Sequence, residues 1–162
     1  MGKKAINKSG TIEVHEGVPS SFSSSIGYVL GGGQNLSDEE AKKHGWFDVI
    51  MPSGYDERIH NLSDLFFVSK DQHYTYTKIN KTFSESVSEL KTKKITELKS
   101  RANYKLQPTD WYVIRKAELG TDIPSDVTDA RASIKSSVET KESEINALTT
   151  KASIVVYDIN ID

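Results

Sequence analysis

A chain of 162 residues, 36% hydrophobic and 27% charged, fits one soluble domain or two small ones. A formal charge of -2 and an isoelectric point near 6.1 supply no basic field for a phosphate backbone, so nucleic acid is not an expected partner. The absence of cysteine excludes disulfides and thiolate metal sites. No apolar run of about 18 residues occurs, and Met1-Gly2-Lys3-Lys4-Ala5-Ile6 leads into no signal-peptide core, so neither a membrane span nor export is expected.

In chain order, residues 11–15 alternate as a strand does, Gly17-Val18-Pro19 turns, and residues 26–30 read as a second short strand after a serine-rich connector around Phe22. Gly31-Gly32-Gly33 breaks regular structure and reads as a flexible turn. Ser37 and Glu40 form a capping box at the start of a short helix. Asp38 and Glu39 suit its positive end, Lys42 and Lys43 its negative end, and Gly45 stops it. Residues 46–50 predict a strand. Residues 59–69 and 73–81 predict a hairpin around Lys70-Asp71-Gln72, with Tyr74 and Tyr76 on one face.

Thr82-x-x-Glu85 has capping-box spacing and opens a helix predicted to reach Leu106. Val87, Leu90, Ile95, Leu98 and Ala102 form its stripe, with a phase slip after Leu90, and Lys91, Lys93, Lys94 and Lys99 are placed in solvent. Pro108 ends that helix, a short helix runs from Asp110 to Leu119, and a last helix capped by Ser125 runs to Leu148 on Val127, Ala130, Ile134, Val138 and Ile145. Residues 153–161 are β-branched and read as a final strand. The fold class is therefore α+β: a small antiparallel β module (residues 1–82), a long antiparallel helical hairpin (83–150) and a C-terminal strand (151–162). The hairpin alone is short of apolar surface, so it is expected to dock on the β module or on copies of itself.

Candidate chemistry is sparse. His15, His44, His60 and His73 fall on separate elements without metal-ligand spacing. The glycine run lacks the Lys-Ser or Lys-Thr of a phosphate loop and precedes carboxylates that repel phosphate. No nucleophile elbow surrounds any serine. No enzyme, cofactor or metal is expected. Trp46, Phe47, Tyr74, Tyr76, Trp111 and Tyr112 raise a sugar-binding platform as an alternative. Core packing is preferred, because Trp111 and Ile114 share one helical face.

One stretch is more distinctive than the rest: Leu106-Gln107-Pro108-Thr109-Asp110-Trp111, continuing to Ile123-Pro124 as the corner between two amphipathic runs. Together with residues 36–40, Gly45-Trp46, Tyr55-Asp56 and residues 74–77, it resembles small phage tail proteins associated with tail fibres, in particular tail fibre assembly-like proteins with a C-terminal helical hairpin. The Gly31-Gly32-Gly33 insertion and the final β-branched run depart from that pattern. The resemblance implies a structural component of a bacteriophage tail, a baseplate or tail fibre adaptor made in the host cytoplasm and carried in the virion. It implies other tail proteins as partners and a homo-oligomer, with a trimer as the expected state. An assembly chaperone and a carbohydrate-binding receptor module are the alternatives. It carries over no catalytic residue. Trp46, Phe47, Tyr74, Tyr76, Trp111, Ile154 and Val156 are the expected interface positions.

Overall fold

The computed structural model describes residues 2–161. The class is α+β, and the chain divides into two compact units, Met1–Lys81 and Thr82–Asp162.

The first unit begins with a hairpin absent from the sequence reading. Strands β1 (Lys3–Lys8) and β2 (Thr11–Glu16) pair antiparallel along their whole length, from Lys3 opposite Glu16 to Lys8 opposite Thr11. Ser9 and Gly10 turn it with φ of 54° and 94°, the left-handed pair whose twist matches that of the flanking strands. The side chain of Asn7 accepts the Gly10 N–H at 2.8 Å. Strands β3 (Phe22–Ser24) and β4 (Gly27–Val29) form a second small hairpin.

The glycine run that follows is ordered by close approach. A Cβ on Gly33 would lie 2.1 Å from the Pro19 carbonyl oxygen, and the Gly33 N–H donates to Ser20 O at 2.9 Å. At Gly33 the turn expected there is thus a tight contact that only glycine permits, while Gly31 and Gly32 supply left-handed backbone (φ 70° and 79°). Helix α1 (Asp38–Lys43) has the expected capping box: Ser37 accepts from the Glu40 N–H, and Glu40 accepts from the Ser37 N–H at 2.9 Å.

Strand β5 (Phe47–Ile50) pairs antiparallel with β1. The predicted aromatic hairpin is present but divided into β6 (His60–Leu62), β7 (Phe66–Val68), β8 (His73–Thr75) and β9 (Lys78–Asn80). β7 and β8 pair antiparallel, as do β6 and β9, but three residues between β6 and β7 face two between β8 and β9. This one-residue step splits the two long arms into separate ladders. Ser63 bridges the break, its N–H donating to Thr77 O at 3.0 Å and its hydroxyl accepting the Thr77 N–H at 2.8 Å. The module is also not wholly antiparallel: β5 and β8 run parallel, giving a five-stranded sheet in the order β2-β1-β5-β8-β7. Ile6, Phe22, Ala41 and Trp46 make its core, bordered by Val18, Val29 and Leu36.

In the second unit, helix α2 (Val87–Leu106) is capped by Ser86 and Glu89, not by Thr82 and Glu85. Both pairs have the right spacing, but the Phe83 carbonyl is taken by Lys151 Nζ at 2.9 Å and Glu85 turns to Ser84, so the first turn forms one box later. Pro108 does not break the chain into a corner. It lies in a 3₁₀ turn, Gln107–Thr109, whose flanking residues keep helical dihedrals, and helix α3 (Asp110–Leu119) continues directly. Proline is compatible with the first turn of a new helix, where its missing N–H has no partner to lose. Reversal comes only at Gly120, in a left-handed conformation (φ 69°), before helix α4 (Ser125–Ala147).

The predicted C-terminal strand is a correction. Thr150 accepts the Ser153 N–H and opens a six-residue helix, α5 (Lys151–Val156), which buries Ile154. Its β-branched residues are overridden by that cap and by packing. The alternation does persist in residues 157–161, where Ile159 and Ile161 are buried between exposed Asp158 and Asn160. Those two isoleucines join Leu98, Ala102 and Ile145 in the core of the unit, with Ile95, Ile134, Val138 and Tyr157 around them. Apolar surface that the hairpin lacks is therefore supplied by the chain's own tail. Three of the lysines placed in solvent instead tie this tail and α4 down: Lys91 donates to Asn146 O at 2.6 Å, Lys94 to Val155 O at 3.0 Å and Lys99 to Glu142 Oε1 at 3.0 Å. Lys105 likewise reaches the Ile161 carbonyl.

The caps make stability depend on acid. Bonds to Ser37 hold Glu40 below its usual range, and bonds to Ser86 do the same for Glu89. A carboxylate with a depressed folded pKa stabilises above the ordinary value of 4.5, and that contribution disappears as pH falls through the folded value. Thermal melts followed by circular dichroism between pH 5 and pH 3 are expected to show a falling midpoint, and Glu40→Gln/Glu89→Gln to flatten the dependence, since glutamine keeps the box without titrating.

Candidate functional site

The seven expected interface positions separate into three groups. Trp46, Tyr74 and Ile154 are buried within their own units, so they are core residues and not interface residues. Trp46 lies edge-on to Phe22 and His15, each at 5.4 Å between ring centroids, and its indole N–H has no partner among the described residues. Phe47, Tyr76 and Val156 are half-buried. Phe47 packs on Phe67 at 4.7 Å and near Tyr74 at 6.3 Å. Only Trp111 is open, with 49% of its surface exposed. The aromatics of the first unit fall into separate groups: Trp46 packs with Phe22, whereas Phe47 and Tyr74 pack with Phe67.

The expectation that Trp111 and Ile114 pack inward is overturned. They do share a face, but α3 buries no side chain at all. Ile114 is 56% exposed and Leu119 73%, and Val113 is exposed on the side of the helix away from Trp111. Tyr104 extends this surface back onto α2. The indole of Trp111 lies 3.7 Å from the Tyr112 ring centroid, with the Arg115 guanidinium 5.9 Å from its own. Ring and cation together fix the indole against the helix while leaving one side open.

Arg131 holds this surface in place, a role that the sequence reading missed. From α4 it donates to Leu106 O at 3.0 Å and Thr109 Oγ1 at 2.6 Å, and it pairs with Asp110 Oδ1 at 2.9 Å. These contacts clamp the joint at which α3 departs. An arginine one turn past Val127 on the inner helix face was the available signal. Phe66 and Phe67 are also exposed on the edge strand β7. Two consecutive phenylalanines in a strand point to opposite faces, so the sequence already required one of them to lie away from a one-sided core.

Among the described residues no group of three His, Cys, Asp or Glu side chains is placed to hold a metal ion, and no helix is long and apolar enough to cross a membrane. The strongest carboxylate perturbation, at Asp56, comes from the side chain and then the backbone N–H of Arg58, which hold it at about 2. That is a local turn fixed by an ion pair of 2.7 Å. The Tyr157 phenol is pushed up to about 12 by burial and by its hydrogen bond to Glu144, which ties the tail to α4. The chemical capacity of the exposed α3 face is apolar association flanked by charge. Comparison with protein-family models, with curated proteins and with solved structures finds no match to this chain.

Proposed function

We propose that the chain is a structural component of a bacteriophage tail, an adaptor at the baseplate or tail fibre that works by gripping other tail proteins. The observation that carries this reading is the solvent-facing apolar surface of α3, which coincides with the stretch whose sequence resembles small tail proteins. Large apolar side chains clustered on one exposed helix mark a site of association, and a Trp with an adjacent Arg has the composition of a binding hot spot. The reading also includes self-association into a trimer.

The test is mass spectrometry of purified particles of the phage that encodes the chain. Stoichiometric recovery in the particle supports the adaptor. Recovery from the lysate alone favours an assembly chaperone, and absence from both sinks the proposal. Trp111→Ser/Ile114→Ser should abolish incorporation while changing the unfolding free energy of the isolated chain by less than about 1 kcal/mol, because neither side chain is buried. A large loss of stability in urea titration would show that the face is structural.

A further inference from the structure

The first unit carries a polar cleft of about 440 Å³ that the docking function does not use, lined among others by Asn7, Lys8, Ser23, Ser24, Ser25 and His44. We infer that this cleft is a binding site for a small neutral saccharide. The inference is independent of the proposed tail role, since it concerns another unit and other residues.

The volume falls within the range of small-molecule sites, roughly 300–1,000 Å³. Its hydrogen-bonding groups are oriented. The Ser24 hydroxyl donates to Gly27 O at 3.0 Å, and its oxygen lies 2.9 Å from His44 Nδ1. Because the single hydroxyl proton is committed to the carbonyl, the contact to the ring is made by Nδ1–H donating to Ser24 Oγ. In the neutral ring Nε2 is then an acceptor, and it has no partner among the described residues. The ring is also set edge-on to Phe22 at 5.4 Å, so its orientation is fixed twice. Asn7 uses its amide oxygen on the Gly10 N–H, which leaves its NH₂ as a donor.

Charge decides between ligand classes. Lys8 is the lysine of the lining, and Glu13 pairs with it at 2.7 Å, so it is not a free cation for a phosphate or carboxylate. Serine hydroxyls, an amide and an imidazole nitrogen exchange hydrogen bonds as a sugar's hydroxyls do.

The test is chemical-shift titration of the ¹⁵N-labelled full chain with a panel of neutral mono- and disaccharides, with inorganic phosphate in a parallel arm. The expected result is saturable shifts at Asn7, Ser23, Ser25 and His44 with at least one saccharide. Ser25→Leu, an exposed position whose larger side chain occupies the cleft, should weaken that binding about tenfold or more while the rest of the spectrum is retained. His44→Phe should also lose it, by removing the acceptor. Shifts with phosphate only, shifts that survive Ser25→Leu, or no saturable shift with any saccharide would each overturn the inference.

Discussion

Replacing Trp46 with alanine is expected to cost about 3–5 kcal/mol, the usual loss when a large buried aromatic is removed and its cavity stays open. Trp46 is fully buried, and it holds together Phe22 and His15 from two different hairpins, so no single neighbour can move in to fill the space. Trp46→Phe should cost clearly less, because the indole N–H that it deletes has no partner among the described residues and already carries a desolvation penalty. Urea titration followed by the amide NMR signals of β1 and β5 reports on the first unit in each variant, and the α-helical circular dichroism reports chiefly on the second unit. Each core draws its members from one unit only, so the helical signal should persist where the first unit has unfolded. Equal losses for Ala and Phe would contradict this account of the pocket.

The second large effect is expected at Ile145. Its side chain is fully buried from α4 against Leu98 of α2 and the tail residues Ile159 and Ile161, so three segments meet on it. Ile145→Ala should cost about 2–5 kcal/mol, read from thermal and urea unfolding by circular dichroism at the helical band. Leu98→Ala should fall in the same range. The double variant should lose less than the two single losses added, because the cavities adjoin. Strict additivity would mean that the two side chains do not share a contact.

How much of this was legible in the sequence depended on where the controlling signal lay. Ser37 and Glu40 are three residues apart, and the structure has the capping box they spell. Thr82-Glu85 and Ser86-Glu89 spell the same signal twice, and the choice between them rests on Lys151, far along the chain. The tail shows the same limit: residues 153–156 have β-branched composition, yet Thr150 caps a helix there because Ile154 has a core to enter. Pro108 misled by being read as a stop, when its position at the start of a new turn let the helix run on. For the candidate site, periodicity correctly put Trp111 and Ile114 on one face. Periodicity does not say whether that face meets the protein or water, and α3 outruns the elements that would cover it.

The one-residue step at Ser63 has a consequence for the molecule at high concentration. Each ladder of the divided ribbon is only three residues long, and the break between them offsets one ladder's pairing from the other's. An incoming strand that zipped onto one ladder would be out of phase with the next, so the ribbon offers no template on which misfolded copies could stack into fibrils. At high concentration a defect in pairing thereby guards the ribbon against edge-to-edge stacking.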